Sequence, residues 1–379
     1  MTASRSRGRS PRLVLLGAAM VVGALALAVS GLSSTDMRPE TANVAAATPA
    51  LPALKAEIQG LLRRPTDIGQ TSKLVARPAG KLFIHMRCAA PICVEASKEY
   101  GNAARALGMR FKALDTGATP DAIARAFNQA VAEKPAALVS GAIPPQLFRK
   151  QLDQLVKNGT KVILYATAPP NPKGVTAVVF PPKEFTKIGR LLARYVYVDV
   201  SAKPTKVVYI QTPEFAALNY ASDSFKRELR RLCSGCEIDV LNVQAAEIGR
   251  VIPGKVVSYL QANPDVNYVL SQFGDLEVGV PQALKSAGIS GKKLISTQGS
   301  RVNMQYVKNG QEAANLISFL DVTYWQVLDI AARALAGQAV TVPPNPTQWI
   351  RKGNLNFNPQ SPPPFGVDYK AKFRALWGV

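Results

Sequence analysis

The chain of 379 residues has one histidine, His85, and four cysteines. With so few nitrogen and sulfur donors, zinc chemistry and histidine-based catalysis have little to work with. His85 itself lies inside a strand-like apolar run and reads as a satisfied core imidazole. No GxSxG, P-loop, HExxH or GxGxxG pattern occurs. These are the short motifs that carry acyl transfer, phosphate cradling, metal-assisted hydrolysis and dinucleotide binding. The chain therefore reads as a protein that is not an enzyme, with no cofactor and no metal. Long apolar runs are equally scarce. Residues 13–29 alone approach the length of a membrane span, which excludes a polytopic membrane protein. Acids are few, 25 against 46 Lys and Arg, for a formal net charge of +21. That excess is diffuse. No basic run interleaves with aromatics, so a solvated surface accounts for it and nucleic acid is not an expected partner.

What is present is a chain able to bury a core. Hydrophobic residues make up 47%, which argues against a disordered or fibrous protein. At the N-terminus, Arg5, Arg7, Arg9 and Arg12 precede the apolar run, and Ala28-Val29-Ser30 offers small residues for cleavage. Residues 1–30 thus read as a secretory signal or an uncleaved anchor, and the remainder as exported, periplasmic or on the cell surface. No cysteine follows the run, so the usual lipid attachment is absent. Residues 31–79 read as a linker with a short helix, and the Ala/Pro/Thr-rich residues 41–52 as its flexible part.

From residue 81 short apolar runs alternate with helical patterns. Strands are expected at 82–86, 110–114, 136–140 and 161–165, and helices at 94–107, 120–132 and 145–157. Thr119 supplies an N-cap with Pro at the first turn. A second series gives helices at 184–198, 220–232, 249–262, 278–287 and 323–335. Its strands fall at 206–210, 238–243, 266–271, 293–296 and 314–320. Continuous apolar strands separated by helices predict parallel sheets covered on both faces. The break at Phe180-Pro181-Pro182 divides the chain into two α/β lobes. The Pro- and Asn-rich tail from residue 341 reads as loop, with a short helix at 369–377 docking through Phe373, Leu376 and Trp377. Ligands bind outside the carboxyl ends of such strands, so the lobes should enclose a cleft.

Three segments carry a likeness to a known family. They are ALDTGATPDAIARAFNQAVAEKPAALVSG, LFRKQLDQLVKNGTKVILY and NPDVNYVLSQFGDLEVGVPQALKSAG. Over roughly residues 80–340 the chain resembles the type I periplasmic binding proteins, in particular the ribose/galactose-type sugar-binding components of ABC transporters. The resemblance implies two Rossmann-like lobes joined by a three-strand hinge. One lobe would be 80–181 with 320–340, the other 182–319 with 341–379. The hinges would lie near 180–182, near 319–321 and after Gly337. It also implies delivery of a small molecule to an ABC permease and ATPase, by a monomer that closes on its ligand by a hinge motion.

Where the family binds sugar, this chain departs from the pattern. The third-strand loop reads Ser140-Gly141-Ala142 in place of an acid or amide. Tyr165 stands at the tip of the fourth strand, often an Asp. Phe273 replaces an Asn two positions before Asp275, Gln298 an Asp, and Phe319 the hinge Gln. Buried sugar hydroxyls need paired polar groups. The expected ligand is therefore amphipathic or apolar rather than a simple sugar. Tyr165, Phe215, Phe273 and Phe319 would form its walls, Ser140 would lie beside them, and Arg87, Gln211, Asp275, Gln298 and Arg301 would anchor it. Arg87 at a strand tip and Arg301 at the start of a loop are placed to fork onto a carboxylate, although a solvated rim position would explain either one. A sugar-binding importer component and an anchored ligand sensor are the alternatives.

The cysteines fall into two local pairs, Cys88 with Cys93 and Cys233 with Cys236. In an exported protein they fit two structural disulfides, the first stapling a cleft loop. Unpaired or cross-paired thiols and a metal site are the other readings of the same spacing.

Overall fold

The computed structural model describes residues 49–379 apart from 89–90, 118 and 170–171, so the signal or anchor reading of residues 1–30 lies outside the described residues. The first element is helix α1 (Leu51–Gly60). Leu51 and Pro52, assigned to the flexible linker from composition, already belong to it. The alternation then follows as β1 (Leu82–Arg87), α2 (Pro91–Ala106), β2 (Arg110–Asp115), α3 (Pro120–Glu133), β3 (Ala137–Gly141), α4 (Arg149–Lys157), β4 (Lys161–Tyr165) and β5 (Ala177–Val179). The second series runs α5 (Pro182–Asp199), β6 (Lys206–Gln211), α6 (Ala216–Leu232), β7 (Glu237–Asn242), α7 (Ile252–Ala262), β8 (Tyr268–Ser271), α8 (Val280–Ser286), β9 (Lys293–Thr297), α9 (Arg301–Asn309), β10 (Ala314–Ser318) and α10 (Leu320–Leu335). Strand β11 (Thr347–Ile350) and helix α11 (Tyr369–Trp377) end the chain.

Two sheets result, and the fold is the two-lobed α/β class. The first is fully parallel in the order β2-β1-β3-β4-β5. The second runs β11-β10-β9-β8-β6-β7 and is parallel except for the antiparallel β10–β11 edge. Both faces of each sheet are covered, which is why the strands read as unbroken apolar runs. In β1, Phe83 packs with Tyr100 of α2, while Ile84 and Met86 pack on the other side with Phe127 of α3. In β6, Val207 and Tyr209 face Leu192 and Phe225, while Val208 and Ile210 face Val256 and Val280. Thr119 caps α3 as its sequence predicts, its hydroxyl accepting the Ala122 amide at 3.3 Å.

Three elements went unread in the sequence. β5 is three residues long, too short for periodicity to register. α9 hides because Asn303, a polar residue, occupies a fully buried helical position. As a result Arg301 begins a helix rather than a loop. β11 lies in a Pro- and Asn-rich tail and forms only because β10 offers an edge and the Leu61 carbonyl accepts the Trp349 amide at 2.8 Å.

The tail also corrects the lobe assignment of residues 341–379. β11 joins the second sheet, but α11 buries Phe373 and Trp377 in the core of the first, with Trp377 stacked on Trp325 at 5.4 Å. The chain between them therefore crosses from one lobe to the other. The N-terminal arm does the same. α1 packs on α5 of the second lobe, with Glu57 bonded to Arg194, whereas the Ile68 carbonyl accepts from Gln326 in α10 and Leu74 pairs with Leu376. The two arms touch each other midway, where the Gly366 amide donates to the Pro65 carbonyl at 2.9 Å. Gly366 has no room for a side chain there, since a Cβ would sit 2.9 Å from that same carbonyl oxygen.

Candidate functional site: the cleft between the sheets

The carboxyl ends of β1, β3, β4, β6, β8 and β9 carry most of the residues singled out from sequence. Backbone strain marks the same places. Ala142, Ala166, Phe180 and Gln298 each follow the last residue of a strand and each has positive φ, between 49° and 57°. Non-glycine residues adopt this conformation only when their surroundings force it, and such positions gather at binding and catalytic loops.

The first-lobe tips are tied down. Cys88 and Cys93 are bonded, with Cα atoms 5.6 Å apart, and Cys233 and Cys236 likewise at 5.4 Å. Arg87 is held in a fork by Asp115 on the adjacent strand, Nε to Oδ1 at 2.5 Å and the second nitrogen to Oδ2 at 2.7 Å. Its hydrogen bond keeps the Asp115 carboxyl below the usual range. A ligand carboxylate would have to displace Asp115 to reach this guanidinium. His85 is buried against Ser97, its Nδ1 2.7 Å from the hydroxyl. Burial first, then Arg87, pushes its pKa down to about 3, so it stays neutral. Ser140 is fully buried on β3, with no hydrogen-bond partner for its hydroxyl among the described residues.

The predicted aromatic walls separate into two groups. Phe319 is buried, with Phe365 of the C-terminal arm packed edge-on at 5.2 Å, so it is covered by the chain itself. Tyr165 packs between Phe180 and Tyr324 and joins the cores of both lobes. By contrast Phe215, 39% exposed, stands edge-on to Phe273 at 6.1 Å on the second lobe. Among the polar candidates, Gln211 donates to Asn242 at 2.9 Å and accepts from Lys226 at 3.4 Å. Asp275 is exposed. Gln298 bonds to Leu316 through its backbone amide.

Arg301 alone of the ten candidates lines a cavity found between the lobes. This cavity, about 240 Å³, is bounded by Glu95 and Glu99 of α2, Asp321 of α10, Gly299, Ser300, Arg301 and Met304 around the start of α9, and residues 361–363 of the C-terminal arm. Sequence reasoning missed its carboxylates. The four-residue spacing of Glu95 and Glu99, which places both on one helix face, was the available signal. Burial alone would raise the Glu99 pKa, but donation from Lys370, Trp325 and Asn102 holds it below the usual range. Among the described residues Asp321 has no such donors. Burial, with Glu99 and Glu95 adding and Lys370 opposing, lifts its carboxyl to about 6. The cavity thus offers acceptors from the first lobe and a guanidinium from the second. Among the described residues no cluster of histidine, cysteine and acid groups has a metal-binding arrangement.

Residues 89–339 match the family model described as a periplasmic binding protein domain, and the chain belongs to that family. Solved structures with the same fold include GanP, a glucose-galactose binding protein from Geobacillus stearothermophilus, at 18% identity over 73% of this chain and 99% of that one, with a TM-score of 0.63. A periplasmic ribose ABC transporter structure from Conexibacter woesei aligns at 17% identity, 74% and 95% coverage and a TM-score of 0.65. The 5-methylthioribose transporter solute binding protein of Thermotoga lettingae aligns at 14% identity, 80% and 95% coverage and a TM-score of 0.63. A search of curated proteins returns no match.

Proposed function

We propose that the chain is the extracytoplasmic solute-binding component of an ABC importer and captures a small hydroxyl-bearing solute between its lobes. The observation that carries this reading is the cavity in which Glu95, Glu99 and Asp321 face Arg301 across the cleft. Carboxylates accept from adjacent hydroxyls, and a guanidinium donates back, so a polyol or sugar can be paired on both sides. At about 240 Å³ the space is below the roughly 300–1,000 Å³ of pockets for drug-sized ligands, which favours a solute of monosaccharide size over a steroid-like body. Structures of similar fold bear names of glucose-galactose, ribose and 5-methylthioribose binders, which supports the same class. The two disulfides fit a location outside the cytoplasm. No catalytic step is assigned.

A second reading keeps an amphipathic ligand. The exposed Phe215–Phe273 pair favours it, because two rings at a cleft loop offer a platform for an apolar substituent. Calorimetry with aldoses, polyols, 5-methylthioribose and aromatic acids separates the two. Binding of plain sugars or polyols, weakened by Asp321→Asn, is the expected result. Binding of 5-methylthioribose or aromatic acids alone, weakened by Phe215→Ala, would establish the second reading instead.

A further inference from the structure

Beneath the second-lobe cleft loops lies a pair of acids that solute binding does not itself require. Glu277, at the end of the turn after β8, and Glu312, before β10, are 0% and 1% exposed. Glu312 is surrounded by donors. Ser296 Oγ donates to its Oε1 at 2.7 Å, Asn315 Nδ2 to the same oxygen at 2.9 Å, and Asn303 Nδ2 to Oε2 at 3.2 Å. Those two asparagines in turn hold the loops that line the cavity. Asn315 Oδ1 accepts the Gly299 amide at 3.0 Å, Asn303 Oδ1 accepts the Ser300 amide at 3.0 Å, and Asn303 Nδ2 also donates to the Gly274 carbonyl at 3.0 Å. Packing there is tight. A Cβ on Gly299 would sit 2.3 Å from Asn315, and one on Gly274 would sit 2.5 Å from Asn303. The carboxylate of Glu312 is thus the hub from which both loops hang.

Glu277 has the opposite surroundings. Neither of its oxygens has a hydrogen-bond partner of good geometry among the described residues; Ser271 and the Glu312 carboxyl are the side chains that bear on it, the first favouring its charge and the second opposing it. Ser271 from β8, Ser296 from β9, Asn303 from α9 and Asn315 from β10 are the other groups that act on the pair, and no Arg, Lys or His is among them. Two buried carboxylates in contact without a cation cannot both ionise.

We propose that Glu277 stays protonated and donates to an ionised Glu312, and that this shared proton makes the pair a positioning device for the solute-facing loops at Gly274 and Gly299–Arg301. Direction follows from the donor count. Three donors stabilise charge on Glu312, whereas burial and the Glu312 charge both push Glu277 well above the usual carboxyl range. Burial, opposed by the Ser296, Asn315 and Asn303 donors, leaves Glu312 at about 7. Removing the last proton at alkaline pH places two like charges in the core and releases the hub. That the loops face the solute rests on the function proposed above; the shared proton does not.

The test uses the full chain without ligand. Glu277→Gln keeps a donor toward Glu312. It should leave protection of the Gly299 and Ser300 amides unchanged and abolish the alkaline fall in melting temperature. Glu312→Gln turns an amide against the asparagine donors and should lower protection of those two amides by about tenfold, the loss of one buried hydrogen bond. Difference infrared spectroscopy of the native protein should show a protonated carboxyl band that Glu277→Gln removes. Equal effects of the two substitutions, or absence of that band, would overturn the proposal. Should the infrared and exchange results hold while Arg301→Ala leaves solute affinity intact, the shared proton stands and the assignment of the solute site falls.

Discussion

The two lobes share a strand-and-helix plan but fix their cleft loops by different means. The first uses a covalent bond, Cys88–Cys93, and an ion pair at the surface, Arg87–Asp115. Its buried imidazole, His85, stays neutral. The second has its disulfide at the far end of α6, and holds the cleft loops instead through Glu312, Asn303, Asn315 and Gln272, the last accepting from Thr212 at 2.8 Å. A cross-link keeps its effect at any pH, whereas a buried polar network keeps its geometry only in one protonation state. The difference implies that the cleft loops of the second lobe should be sensitive to the protonation of their buried network, while the Cys88–Cys93 loop of the first should respond to reduction.

The comparison can be broken most severely at the point where the tail leaves one lobe for the other. Trp377→Ala opens a hole beside Trp325 in the first core and should cost about 3–5 kcal/mol in urea denaturation. A cost under 1 kcal/mol would mean that the tail helix is not part of that core. Next in size are the paired cysteine-to-serine variants. Loops this short predict about 2 kcal/mol for each bridge, but only the Cys88/Cys93 variant should also weaken solute binding, by calorimetry, because only that bridge staples a cleft loop. A smaller effect concerns pH. The raised carboxyl of Asp321 favours the folded state fully below its unfolded value and loses that contribution as pH rises through about 6. Ionisation over the same range supplies the acceptor for solute hydroxyls, so affinity should rise with pH through about 6. Asp321→Asn should flatten both trends. The smallest expected effect is Arg87→Ala, about 0.2–1 kcal/mol for an exposed pair, with little change in solute affinity if Asp115 is its true partner.

How much was legible can be judged at particular residues. The strand and helix alternation, the Thr119 cap and the local cysteine pairs were readable because each depends on neighbours along the chain. Arg87 and Arg301 were both placed at strand ends, yet only Arg301 reached the cavity. Nothing in the local sequence announces that Asp115, at the end of the adjacent strand, takes the Arg87 fork. The aromatic walls are placed in the sequence by likeness to the loops where the family binds sugar. Whether a ring lines a cleft or is roofed by its own chain, as Phe319 is by Phe365, depends on where the C-terminal arm runs.

By itself, the sequence determined the two-sheet class and its family, since apolar periodicity and turn chemistry are local and dictate which segments must be buried together. Tertiary structure alone decided the cavity, the two extra arms that cross between the lobes and the Glu277–Glu312 pair. Each of these joins residues far apart in the chain, and burial and proton sharing arise only once those residues are packed against one another.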